Sequence, residues 1–272
     1  MAGKQAGKPG KAPGKTSDKT SGSASAGTSS PRVSETGDPF HGVSELTSCG
    51  LEAGFGDRVL QPPKHARIFQ VQQVHGARIC SVEDVAPEAP DSATGVSALE
   101  ADGIAISGLP APDAELTVAA IRTADCVPVL IAAAGDDGSS CFAAAVHAGW
   151  RGTVAAIAEH AVARARSCGI EPGRLHARLG PSIGPCCYEV GEDVATRFEQ
   201  QGLPVRRSPG SVKLDLREAN RLLLQRAGVR SDRILDSGPC TRCCADRYFS
   251  YRAEPGSGGR QLSWVGWGAR AR

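Results

Sequence analysis

Two apolar runs, Val127–Ala134 and Cys141–Val146, are separated by Ala134-Gly-Asp-Asp-Gly-Ser-Ser140, and this pattern constrains the fold more tightly than any other in the chain. Asp137-Gly138 is a strong hairpin signal, because glycine tolerates the positive φ that tight turns demand. The two strands then run out from Cys126 and return to His147, so both residues sit at the same open end. Directly opposed residues in an antiparallel ladder have Cβ atoms about 5 Å apart and diagonal ones about 7 Å. A thiolate and an imidazole placed in this way can share one metal ion or one proton.

The flanking residues add to that expectation. Ala124-Asp-Cys-Val-Pro128 places Cys126 beside an acid and just before a proline, at a strand entrance. His147-Ala-Gly-Trp-Arg-Gly-Thr153 is a loop punctuated by glycine that runs into a helix, with Thr153 expected as its N-cap and Gly169 as its close. A helix N-terminus beside Arg151 is an anion site, with phosphate the obvious occupant. His75, in Gln73-Val-His-Gly76, ends the first strand of the body, where Gly76 allows a sharp exit. Two histidines and one cysteine leave one tetrahedral position open, which is the arrangement of catalytic rather than structural zinc.

Around this centre, strands are expected at Arg67–Val74, Gly103–Ser107, Leu116–Arg122, Leu175–Leu179, Val212–Leu214 and Leu262–Trp267. Helices are expected near Glu189–Gln200 and Leu216–Ala227, the latter opening after Asp215. Strands and helices without strict alternation predict a layered α/β domain with a mixed sheet over residues 39–272. Residues 1–38, mostly Gly, Lys, Ser, Thr, Ala and Pro, read as a disordered tail. Five lysines and Arg32 against three acids give that tail a net charge of +3, and the body is then close to neutral. A near-neutral body has no clustered basic face for nucleic acid.

The most apolar stretch, Leu116–Ala134, is interrupted by Arg122 and Asp125, which argues against a membrane span, and no apolar run follows Met1 to act as a secretory signal. The expected location is the cytoplasm, where ten cysteines are thiols or metal ligands rather than a disulfide framework. Cys240-Thr-Arg-Cys243 has a ligand-like spacing, but its partners would be Cys186 and Cys187, which are adjacent and expected to point different ways. Cys49, Cys80, Cys141 and Cys168 read as small buried residues.

Taken in order, Gln73-Val-His-Gly76, Ala101-Asp-Gly-Ile104, Thr123-Ala-Asp-Cys-Val-Pro128 and His147-Ala-Gly-Trp-Arg-Gly152 resemble the laccase-domain, or multicopper polyphenol oxidase, family. Gly180-Pro-Ser-Ile-Gly-Pro-Cys-Cys-Tyr-Glu-Val-Gly191, Leu214-Asp-Leu216 and Tyr248-Phe-Ser-Tyr-Arg252 extend the resemblance over roughly residues 45–268. One departure is Ala253, where the family usually continues with another arginine. The resemblance implies a single three-layer α/β/α domain whose metal, usually zinc, is held by His75, Cys126 and His147. It also implies phosphorolysis of adenosine, guanosine, inosine and methylthioadenosine, deamination of adenosine and, in some bacterial members, editing of a peptidoglycan precursor.

That chemistry suggests further roles. Deamination at C6 of the purine needs a carboxylate to move protons, and Asp125 and Glu189 are the candidates. Phosphorolysis needs phosphate held beneath the ribose C1′, the expected task of Arg151 and the helix start. Tyr188 and Arg252 are expected at the rim. Three rival readings are a copper-dependent polyphenol oxidase, a metal-free cysteine hydrolase with Cys126 as nucleophile and His147 as base, and a non-catalytic binding module for cell-wall precursors. A copper site of this kind commonly adds an axial methionine, and the only methionine is Met1. The hydrolase leaves His75 without a role. Oligomeric state is not legible.

Overall fold

The architecture is built around two adjacent strands, Val127–Ala134 and Cys141–Ala148, that are buried along their whole length. In a computed structural model, residues 38–41, 43–47, 49–85, 95–108, 115–134, 141–256 and 258–268 are described. The expected tail, apart from Asp38, and the turn at 135–140 lie outside the described residues. In chain order the first strands are β1 Leu51–Phe55, β2 Arg67–Phe69, β3 Val71–Gln72, β4 Ile79–Ser81, β5 Ser97–Glu100, β6 Gly103–Ser107 and β7 Thr117–Thr123. They are followed by β8 Val127–Ala134, β9 Cys141–Ala148, β10 His176–Leu179, β11 Val205–Ser208, β12 Ser211–Leu214, β13 Ile234–Asp236 and β14 Gln261–Trp267. The helices are α1 Ser44–Thr47, α2 Trp150–Val154, α3 Ile157–Ser167, α4 Glu192–Gln200 and α5 Leu216–Arg226.

A six-stranded sheet runs β13-β10-β8-β9-β6-β4, and a four-stranded sheet runs β1-β14-β7-β2. Both are mixed: β4 with β6, β10 with β13 and β2 with β7 are parallel, whereas the other neighbours are antiparallel. Alternation along β8 and β9 divides their side chains between two cores. Val127, Val129, Ile131, Phe142, Ala144 and Val146 pack with Ile157, Ala161, Leu223 and Leu224 of the helices. Leu130, Ala132, Ala143 and Ala145 pack with Ile121, Val265 and Trp267 of the second sheet.

The layered α/β class with a mixed sheet and several helices is as expected. On the face of β8 and β9 turned away from α3 and α5, the alanines leave a shallow surface that a second sheet carrying Trp267 and Ile121 covers, together with Leu46 of α1. Some local expectations shift. The run Arg67–Val74 breaks at Gln70, with β2 joining β7 and β3 joining β5. Helix α4 starts at Glu192 rather than Glu189, with Gly191 as its N-cap.

Thr153 is not an N-cap. Its hydroxyl donates to Gly149 O at 2.9 Å inside α2 and accepts from buried Asn220 Nδ2 at 3.0 Å, which ties α2 to α5. The expected single helix is divided by Ala156, at φ 57°, into α2 and α3. Asp215 caps α5 as expected, accepting from Glu218 N. Cys49, Cys80 and Cys141 are buried as expected, while Cys168 is only partly so. Among the described residues, no helix is long and apolar enough to cross a membrane.

Candidate metal centre

The centre forms where β8 begins and β9 ends. In the antiparallel register Val127 faces Ala148 and Pro128 faces His147, so Cys126 and His147 meet at one end of the hairpin. His75 comes from the turn after β3, with its backbone at φ 59°. The donor atoms of His75, Cys126 and His147 all lie within 4.8 Å of one another. The two imidazole centroids are 4.8 Å apart at an interplanar angle of 65°, an edge-on contact. His147 is buried, Cys126 partly so and His75 exposed, which leaves the trio approachable from one side.

Asp102, immediately before β6, organises this arrangement. Its Oδ1 lies 2.9 Å from His147 Nδ1 and accepts from His75 N at 2.9 Å, while its Oδ2 accepts from Gly76 N at 2.6 Å and Val74 N at 3.3 Å. A left-handed conformation at a residue other than glycine costs on the order of 1–3 kcal/mol, and these bonds hold His75 in it. Burial works against the Asp102 carboxylate, but the His147 hydrogen bond and the Gly76 and His75 amides outweigh it, so its pKa lies below the usual value. Asp102 is therefore an acceptor, which assigns the proton on His147 to Nδ1 and leaves Nε2 to face the other donors.

Electrostatics in the metal-free chain follow from this packing. Burial opposes a thiolate at Cys126, yet hydrogen bonds from His147 and His75, with their charge, bring it down to about 6. Burial likewise opposes an imidazolium at His147, but Asp102 and Cys126 raise it to about 9. Room for the cluster depends on Gly149. A Cβ there would lie 3.0 Å from Cys126 Sγ and 3.3 Å from His75 Nδ1.

Tyr188 is buried and feels the charges of Cys126, Arg252, Asp125 and Arg151. Asp125, at φ 89°, accepts from Thr241 Oγ1 at 2.6 Å and from Arg252 N at 2.8 Å, so both of its oxygens are engaged. Arg151 is exposed on α2 with its guanidinium 4.5 Å from the Trp150 ring centroid. Helix α2 starts at Trp150, directly after the Gly149 cap, so the helix terminus expected at Thr153 lies closer to His147. Glu189 is exposed; its carboxylate accepts from Ser211 and its carbonyl from Arg252. Arg252 also lies over the Tyr188 ring at 5.1 Å.

Sequence reasoning gave no role to Asp102 or Gly149. The only signal for Asp102 was an acid in the short Ala101-Asp-Gly-Ile104 motif. The acid stands far along the chain from both histidines it serves, so no spacing pointed to it.

Taken together, fold and donors define an α/β protein built on two large mixed sheets, with a three-donor centre able to hold a single metal ion. The model of the multi-copper polyphenol oxidoreductase laccase family matches residues 57–268, and the chain belongs to that family. The chain is 38% identical over 204 residues to the purine nucleoside phosphorylase YlmD of Geobacillus stearothermophilus, covering 72% of this chain and 70% of that one. The adenosine deaminase RL5, from an unknown prokaryotic organism, is 36% identical over 154 residues, which is 54% of this chain and 57% of that one. The crystal structure of YlmD from Geobacillus stearothermophilus superposes with a TM-score of 0.63 at 36% identity, over 74% of this chain and 73% of that one. Bacillus licheniformis YfiH gives 0.65 at 28% identity, over 80% and 93%.

Proposed function

We propose that this chain is a zinc-dependent purine nucleoside phosphorylase that also deaminates adenosine. The observation that carries the reading is the convergence of the donor atoms of His75, Cys126 and His147 within 4.8 Å of one another. The named activities of YlmD and RL5 supply the substrate class. Two imidazoles and one thiolate suit zinc and leave one of four tetrahedral positions for solvent or substrate. Asp102 behind His147 is the carboxylate that such sites use to orient an imidazole ligand. Copper fits less well, because the chain's only methionine, Met1, precedes the whole domain and no other can supply an axial thioether. When bound, zinc supplies Lewis acidity at this position.

The protein's own groups account for the rest. Arg151, stacked on Trp150, binds phosphate with help from the amide groups that open α2, and Arg252 adds a second positive charge. In phosphorolysis a phosphate oxygen bonds to ribose C1′ as the bond from C1′ to the purine breaks, and the departing base takes up a proton. Tyr188, whose hydroxyl burial pushes up to about 12, stays neutral and forms a wall of the site. In deamination water adds at C6 and ammonia leaves, with Glu189 as the exposed carboxylate that carries the proton. Asp125 positions Cys126 through its bonds to Thr241 and Arg252. A thiolate ligand of this kind suits the reducing cytoplasm.

Incubating metal-replete protein with adenosine separates the two reactions. Adenine and ribose-1-phosphate are expected only with phosphate, and inosine without it. Recovery of unchanged adenosine in both cases would overturn the proposal.

A further inference from the structure

Far from His75 in sequence, two turns bring a second set of sulfur atoms together. Cys187 N donates to Gly184 O and Tyr188 N to the same carbonyl, and this tight turn carries Cys186 and Cys187 towards Cys243. Adjacent cysteines, expected to diverge, here converge. Cys186 Sγ lies 3.6 Å and Cys187 Sγ 3.4 Å from Cys243 Sγ. The sulfur atoms of Cys186, Cys187, Cys240 and Cys243 all lie within 4.8 Å of one another.

We propose that Cys186, Cys187, Cys240 and Cys243 hold a second, structural zinc ion. Four sulfurs at a Zn–S distance of about 2.3 Å stand roughly 3.8 Å apart along the edges of a tetrahedron. The observed 3.4 and 3.6 Å are close to that edge. A disulfide would pair Cys243 with one partner, yet Cys243 is placed almost evenly between two. Gly184 N donates to Cys240 Sγ at 3.2 Å, a bond that stabilises a thiolate ligand. On binding, each thiol releases its proton to solvent, and the four thiolates with one divalent ion carry a net charge of −2. Lys213, whose Nζ donates to Cys186 O at 3.1 Å, lies close enough to offset part of it.

The ion would clip two loops that otherwise meet through a few backbone bonds. Ser182 N donates to Pro239 O and Thr241 N to Ser182 O. The second loop presents the Thr241 hydroxyl to Asp125, the neighbour of Cys126. The second ion is thus structural, and it supports the first centre through Thr241 and Asp125.

Elemental analysis of the full chain, isolated in reducing buffer without chelator, tests this. Two zinc ions per chain are expected. The variants Cys186→Ser and Cys243→Ser should each hold one, and the double variant His75→Ala/His147→Ala should also hold one, which keeps the test decisive if the cysteine variants fail to fold. With cobalt(II) in place of zinc, the ion retained in the histidine variant should show stronger sulfur-to-metal charge-transfer absorption than a one-thiolate site. One zinc per wild-type chain that persists in the histidine variant would count against the first centre and not this one, whereas no zinc in the histidine variant, or a disulfide among the four cysteines in reducing buffer, would overturn the proposal.

Discussion

Asp102 Oδ1 stands 2.9 Å from His147 Nδ1 and 2.9 Å from His75 N, so one buried oxygen orients one candidate ligand and fixes the backbone of another. Two histidines from separate elements thus share a single acceptor.

Replacing that acceptor should loosen both ligands at once. Asp102→Asn is expected to weaken zinc binding by about 10- to 100-fold, the usual consequence of losing the carboxylate behind a ligating histidine. A competition titration against a chromophoric chelator measures it. Unchanged affinity would show that His147 needs no such support.

The metal-free chain has a definite pH signature. Cys126 has its pKa lowered to about 6, so its contribution to stability is full above the ordinary thiol value near 9 and is lost as pH falls through 6. His147 has its pKa raised to about 9, so its contribution is full below 6.5 and is lost as pH rises through 9. Between 6.5 and 9 the gain at Cys126 and the loss at His147 offset one another, so the thermal midpoint of the metal-free protein should rise from about pH 6 to 6.5 and change little from there to 9. Iodoacetamide labelling of Cys126 should rise through about pH 6 and be suppressed by zinc. A labelling midpoint at an ordinary thiol pKa would contradict the thiolate–imidazolium pair.

Gly149 separates ligand crowding from backbone strain. Its φ of −75° is open to any residue, but an added Cβ would press on Cys126 Sγ and His75 Nδ1. Gly149→Ala should lower metal affinity at least about tenfold, or 1.4 kcal/mol, while shifting the thermal midpoint of the metal-free protein little. Circular dichroism melting and metal titration on the same sample distinguish these effects. A large loss of stability without loss of metal would point to packing instead.

Arg151 and Glu189 should divide the two reactions between them. Arg151→Ala is expected to raise KM for phosphate about tenfold or more, as the loss of a charged hydrogen bond does, and to leave deamination almost unchanged. Glu189→Gln should lower deamination about 100-fold or more with a weaker effect on phosphorolysis. Steady-state kinetics with adenosine, with and without phosphate, measure both. Parallel losses in both reactions would remove the distinction.

Much of the centre is legible in the linear order of residues, because strand pairing is a local signal. The apolar runs flanking Asp137-Gly138 align Cys126 with His147, and glycine after His75 marks its turn. What escapes is set by contacts between distant segments. The second sheet covering Ala143 and Ala145 has no local signature, so its place against that face is not visible. The start of α2 escapes because threonine is a better side-chain cap than glycine, yet the Thr153 hydroxyl is engaged with Gly149 and Asn220. The convergence of Cys186 and Cys187 depends on a turn centred on their own backbone, which sequence spacing alone does not reveal.

The dependence of phosphorolysis on the ion at His75, Cys126 and His147 is tested most directly by removing that ion and restoring it. Adenosine phosphorolysis should vanish after exhaustive chelation and return on addition of zinc, with His147→Ala inactive throughout. Full activity in chelated protein, abolished by alkylating Cys126, would instead identify a metal-free thiol enzyme and contradict the account.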